Sequence, residues 1–142
     1  MSELDLPDVN VLVALLHPDH VHHRAAHTWF GSVARFATTP VTESGLVRMA
    51  LNPTVMGVAA GAGQALDSLR SLRRHERAVF LPDDSSLAEA SIDLVGLTGC
   101  RQVTDLHLVN LAAAHSARLV TFDSKIQPIL APDDQGSVLT LG

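Results

Sequence analysis

Residues 101–123 read RQVTDLHLVNLAAAHSARLVTFD, and the change of rhythm inside this stretch decides the fold class. Leu106, Val109, Ala113 and Ala117 recur at helical spacing, so Asp105 is expected to open a helix. Thr104 is placed to cap it, its hydroxyl accepting from an otherwise unpaired N–H of the first turn. After Ser116 the pattern becomes a short apolar run, Leu119-Val120-Thr121-Phe122, closed by Asp123. That predicts a buried parallel strand with an acid at its carboxyl end. A carboxylate at a helix start and another at the next strand's end can face one crevice.

The rest of the chain repeats this alternation. Leu4–Leu6 is an extended segment closed by Pro7, which does not suit the interior of a central strand. Asp8 then turns the chain into a buried helix over Val9–Leu16. A second helix is expected from His20 to Ala34, with Val21, Ala25, Trp29 and Val33 at i, i+4 spacing. Arg35–Thr39 is a brief strand, and Pro40 suits the first turn of a helix that carries Glu43 near its start. Leu46, Val47, Met49, Ala50 and Leu51 supply that helix's core face, and Asn52-Pro53 ends it.

Thr54–Gly63 is a loop or short helical insert. Gln64–His75 is a helix with Leu66, Leu69 and Leu72 inward and Arg70, Arg73 and Arg74 outward. Ala78–Leu81 makes a strand, and Ser85 is expected to cap a helix reaching Val95. Turns follow Asp123, and Val138–Leu141 is a final strand. Strands alternating with helices predict one domain over 1–142, a three-layer α/β/α sandwich on a mostly parallel sheet. Ligands of such sheets bind beyond the carboxyl ends of the strands.

Composition narrows the function. At 142 residues and 46% hydrophobic, the chain can bury a sizeable core. A single cysteine, Cys100, excludes a disulfide framework and a structural zinc ribbon, which fits a reducing cytoplasm. No apolar run approaches the ~20 residues needed to span a bilayer, and the acidic MSELDLPD start lacks the basic region of a signal peptide. With net charge −5, any handling of nucleic acid must work through local patches or bound cations.

The sheet-edge rule selects four acids. Asp8 and Asp123 end strands, while Glu43 and Asp105 begin helices that follow strands, so all four emerge on one edge. Converging carboxylates repel one another and tend to take up protons unless a cation joins them. An all-oxygen donor set points to Mg²⁺, with Mn²⁺ as a substitute, rather than zinc. Such a site hydrolyses phosphodiesters by activating water.

Asp8 in LPDVNVLVALL, Glu43 in TPVTESGLVR, Asp105 in QVTDLHLVNLAAAH and Asp123 in RLVTFD resemble, in order and spacing, the four acidic motifs of PIN domains. They are most similar to those of VapC-type toxins from bacterial toxin–antitoxin modules. The resemblance runs from Asp8 to about Lys125. It implies a PIN-like fold and a Mg²⁺-dependent endoribonuclease, the toxin of a type II module, held inactive by a VapB-type antitoxin. Cleavage would leave a 5′-phosphate and a 3′-hydroxyl. Carried over, Asp8, Glu43, Asp105 and Asp123 would be catalytic metal ligands, directly or through water. Asn10 and Thr121 would orient those carboxylates. A homodimer that accepts an antitoxin helix on an apolar groove is the further expectation.

Simpler readings exist for each residue. Asp8 and Asp105 singly could be helix caps, Glu43 a first-turn acid favoured by the helix dipole, and Asp123 a turn former. His20, His22, His23 and His27 suggest zinc but lack a third ligand, and suit a half-exposed helix face. Arg70, Arg73, Arg74 and Arg77 are either a solvated face or a contact to an RNA backbone. Two other functions compete: a PIN-like protein that binds RNA or a partner without cutting, and a phosphatase. The phosphatase's nucleophilic D-x-D is missing, since Val9-Asn10 follows Asp8.

Overall fold

In the computed structural model, which describes residues 4–53 and 61–142, five short strands form one sheet. They are β1 (Leu4–Pro7), β2 (Arg35–Thr38), β3 (Ala78–Phe80), β4 (Arg118–Thr121) and β5 (Val138–Thr140). Every pairing is parallel, in the order β3-β2-β1-β4-β5. Pro7 remains inside β1 as its last residue, in register with Val120. Asp8 N–H, 2.8 Å from the Val120 carbonyl, carries the ladder one residue past the proline. Strand order reverses between β1 and β4, and the crevice of a parallel sheet opens at such a reversal.

Side chains alternate across the strands and feed two cores. On one face, Leu4, Leu6, Ala37, Leu119 and Val138 pack beneath helix α5 (Val103–Ala114). On the other, Phe36 and Val120 meet α1 (Val9–Leu16), α2 (His23–Ser32), α3 (Pro40–Ala50) and α4 (Ala62–Arg73). These are the three layers expected. Leu106, Leu108, Val109, Asn110, Leu111 and Ala112 are all buried, so α5 is covered nearly all round. It ends where the sequence rhythm changes: Ser116 adopts φ 55°, and Ala117 N–H bonds the Ala112 carbonyl at 2.8 Å. Those are the marks of a left-handed C-terminal cap. Gly45 lets α3 approach α1, because a Cβ there would lie 2.5 Å from Val9 Cγ2.

Several expectations are corrected. Helix α5 starts at Val103, directly after a 3₁₀ turn over Cys100–Gln102, so Thr104 is not its cap and Asp105 sits within its first turn. The helix expected from Ser85 to Val95 is absent; only Leu87–Glu89 makes a 3₁₀ turn, capped by Ser86. Side chains from elsewhere take the backbone donors a helix would need. Asn110 Oδ1 accepts from Ser91 N–H at 2.7 Å, and Asp134 Oδ2 accepts from Asp93 N–H at 2.8 Å. Helix α2 begins at His23, since His20 Nδ1 accepts from His22 N–H and holds a turn before it.

Leu51 and Leu66, assigned to core faces, are 40% and 37% exposed. Of the Thr54–Gly63 insert, residues 54–60 lie outside the described residues, as does Met56, while Gly61 precedes α4. Among the described residues no helix is long and apolar enough to cross a membrane.

Candidate active site

The acids reach one edge of the sheet because each sits where an element begins or ends. Asp8 leaves β1 with extended backbone and caps α1, its Oδ1 accepting from Val9 N–H at 2.8 Å. Its Oδ2 accepts from the hydroxyl of Thr121, the last residue of β4, at 3.0 Å. Thr121 is fully buried, and its Oγ1 also accepts from Asp123 N–H at 3.0 Å and from Asn10 Nδ2 at 3.2 Å. Asn10 Oδ1 in turn accepts from Phe122 N–H at 3.2 Å. Asn10 and Thr121 thus bind the ends of β1 and β4 together and set the direction of Asp8. Asp123 Oδ1 accepts from Lys125 N–H at 2.9 Å, closing a turn.

Asp105 approaches the same place from α5. Its carboxyl is pushed up to about 6, first by burial and then by the charges of Asp8 and Asp123. Asp8 is also raised above its ordinary value. Burial is the main cause, opposed by the Thr121 and Val9 hydrogen bonds and reinforced by Asp123. The mutual effects place Asp8, Asp105 and Asp123 within electrostatic reach of one another. Among the described residues, none of the three is in an ion pair.

Glu43 stands apart from this trio. Its Oε2 accepts from Thr38 Oγ1 at 2.7 Å and lies 3.6 Å from Arg73 Nε, so its charge is already partnered. Among the described residues, no three His, Cys, Asp or Glu side chains are drawn together tightly enough to hold an ion. Charge effects link Asp8, Asp105 and Asp123, while Glu43 is held by Thr38 and Arg73. The donor set is all carboxylate and hydroxyl, and its charge is uncompensated. Both properties suit a hard divalent cation.

Thr38 was not evident as a site residue, yet it matches Thr121: each ends a strand and donates to an acid. The signal was there, as a threonine closing each apolar run. The histidines serve other ends. His23 Nδ1 lies 2.8 Å from the Ala14 carbonyl, and His22 stacks on Phe122 with ring centroids 4.5 Å apart. The arginine row divides. Arg70 pairs with Asp67 on the surface, and Arg77 turns inward to the Phe30 and Val33 carbonyls at 2.7 Å each. Arg73 alone of the row pairs with a site acid.

A fifth acid lies below the site. Asp5, 3% exposed, accepts from Trp29 Nε1 and Arg118 Nε, each at 2.8 Å. With both oxygens engaged it is a structural carboxylate.

Comparison with known proteins identifies the family. Residues 6–129 match the PIN domain. Ribonuclease VapC39 of Mycobacterium tuberculosis is 44% identical over 124 residues, covering 85% of this chain and 89% of the relative. Ribonuclease VapC38 of the same organism is 44% identical over 123 residues (85% and 86%), and Ribonuclease VapC29 is 41% identical over 120 (84% and 85%). A parallel sheet whose strand order reverses beside Asp8 and likeness over nearly the full length converge: the chain belongs to the PIN-domain family, among its VapC-type members.

Proposed function

We propose that this protein is a metal-dependent endoribonuclease and the toxin of a type II toxin–antitoxin module, acting in the cytoplasm. The observation that carries the reading is the uncompensated trio of Asp8, Asp105 and Asp123 at the sheet's reversal point, with Asp105 raised to about 6. The name of the relatives, ribonuclease, supports RNA as the substrate.

Asp8, Asp105 and Asp123 would hold Mg²⁺, or Mn²⁺ in its place, with Glu43 contributing directly or through water. When bound, the ion supplies charge neutralisation at the phosphate and a water of lowered pKa. The protein's own part is orientation. Thr121 and Asn10 fix Asp8 before any ligand arrives, so little reorganisation is needed on binding. The attack on phosphorus is by water, in line with the departing 3′ oxygen, leaving a 5′-phosphate and a 3′-hydroxyl. No side-chain nucleophile is required. Among the described residues, neither Ser44 nor the exposed Cys100 has a base hydrogen-bonded to it.

The partners in this reading are RNA, a second copy of the chain, and a VapB-type antitoxin that sends an Arg or Lys among the carboxylates. Co-expression with the antitoxin should then be needed for good yield. Normal growth on expression alone would count against the toxin role.

Manganese-dependent cleavage of total RNA, with end-group analysis, tests the enzymatic reading. One observation favours the alternative of a PIN-like protein that binds RNA or its partner without cutting: Glu43 spends its charge on Arg73. Binding without cleavage in that assay would select it.

A further inference from the structure

Beside Glu43, at the outer end of the same sheet edge, lies an open cleft of about 540 Å³ between α3, α4 and the end of β3. Its composition is unusual for a chain of net charge −5. Two guanidinium groups, Arg48 and Arg73, line it together with Phe80 and Leu66. Phe80 is 42% exposed, although it is the last residue of a strand. The Arg73 guanidinium lies 4.5 Å from the centroid of the Phe80 ring, while its Nε faces Glu43. Arg48 is exposed and, among the described residues, makes no ion pair. A partly exposed aromatic ring with a half-exposed guanidinium held over it, and a second cation nearby, suit an unpaired nucleotide. The base stacks on the outer face of the guanidinium that the ring supports, and the cations attract the phosphates.

We propose that this cleft is a nucleotide subsite, in which the Arg73 guanidinium, supported by Phe80, stacks a base of single-stranded RNA flanking the scissile phosphate while its charge and that of Arg48 hold the backbone. The inference rests on the ribonuclease reading above and adds where the strand runs: from the aspartate trio past Glu43 and across α3 and α4. It also offers an acidic protein a local contact for RNA, since Arg48 and Arg73 outnumber Glu43 along this cleft. Charge complementarity argues for RNA over a protein helix. An apolar helix would leave Arg48 to be desolvated without an ion-pair partner.

The test is fluorescence anisotropy with a short, fluorescein-labelled single-stranded RNA of random sequence, in EDTA so that it is not cut. Steady-state cleavage is measured in parallel with Mn²⁺. The variants are Phe80→Ala, Phe80→Leu, Arg73→Ala and Arg73→Lys, each checked by its melting temperature. Phe80→Ala should weaken RNA binding about tenfold. Phe80→Leu should do nearly the same, because it keeps apolar bulk but not the π face that holds the Arg73 guanidinium in place. In cleavage the loss should fall on KM more than on kcat. Arg73→Ala should also lower the slope of log Kd against log salt by about 0.7, the share of one phosphate contact on a single strand. Arg73→Lys should restore that slope without restoring full affinity.

Phe80 variants that bind and cut like the wild type overturn the subsite while the ribonuclease reading stands. So does an effect confined to association with a protein partner. RNA bound in a Phe80-dependent way but never cut keeps the subsite and removes catalysis. A wild-type protein that neither binds nor cuts RNA removes both.

Discussion

Replacing Asp105 by Asn should stabilise the metal-free protein and destabilise the metal-loaded one. The carboxyl of Asp105 rises from 3.8 to about 6, a change of about 2 pKa units, or about 3 kcal/mol at 1.36 kcal/mol per unit. The group is partly exposed, and solvent screening reduces the recoverable part to on the order of 1 kcal/mol. Its place in the first turn of α5 acts the other way, since a negative charge near a helix N-terminus contributes about 0.3–1 kcal/mol. The rise in pKa shows that burial and repulsion from Asp8 and Asp123 win.

The sign with pH follows. A raised folded-state pKa means the folded protein binds the proton more tightly than the unfolded chain. The stability tied to this group is therefore fully present below 3.8 and is lost as pH rises through about 6. Asp8, raised for similar reasons, acts in the same direction. At pH ~7 in EDTA, Asp105→Asn should melt roughly 3 °C above the wild type for a domain of this size, and the gain should vanish near pH ~4. With saturating Mg²⁺ the order should invert, because only the intact site gains binding energy. Thermal melts of both proteins, with EDTA and with Mg²⁺ across that pH range, measure the double difference. A lower melting temperature for apo Asp105→Asn, with equal Mg²⁺ shifts in both proteins, would refute the reasoning and leave Asp105 as an ordinary first-turn acid.

Three other substitutions probe separate parts of the structure. Asp8→Asn keeps a good helix cap, so circular dichroism should be unchanged while RNA cleavage falls by orders of magnitude; full activity in a pure sample would remove Asp8 from the site. Thr121→Val deletes the hydroxyl that Asp8, Asn10 and Asp123 share, and should cost about 1–3 kcal/mol in urea unfolding as well as 10–100-fold, roughly, in Mg²⁺ affinity by calorimetry. Trp29→Phe removes one of the two side-chain donors to buried Asp5 and should destabilise by about 1–3 kcal/mol with cleavage by the folded protein intact; a neutral effect would mean water replaces the indole N–H.

The parallel sheet could be read from the sequence because its strands are short apolar runs bounded by acids and prolines, which leave little choice of period. Asp8 was legible for the same reason: Leu-Pro-Asp marks a strand end and a cap at once. Legibility failed where side chains distant in sequence settle the backbone. Asn110 and Asp134 hold residues 91–93 in an irregular path, against a local pattern that favours a helix. The partners of Glu43 were likewise not legible, since Thr38 and Arg73, which share its carboxylate, lie outside its own helix. The role of the arginine row was undecidable from one helix's pattern, because the partners that divide it lie in β3, α3 and the end of α2.

The hydrogen bond from Thr121 to Asp8 spans 113 residues of chain, and the Asn10 contacts span 111 and 112. Strand β1 sits in the middle of the sheet, and one of its two neighbours, β4, is made only after β2 and β3. At a synthesis rate of about 5–20 residues per second, roughly 6 to 20 seconds separate Asp8 from the residue that orients it. Through that interval the growing chain can form β1, β2, β3 and the helices on one face, but not the aspartate trio. Closure of such a distant contact is also slow in itself, since the entropy of the long loop is lost before the contact returns anything. A nascent chain therefore cannot assemble the aspartate trio until β4 has been made, and the order of synthesis sets a delay on the proposed activity.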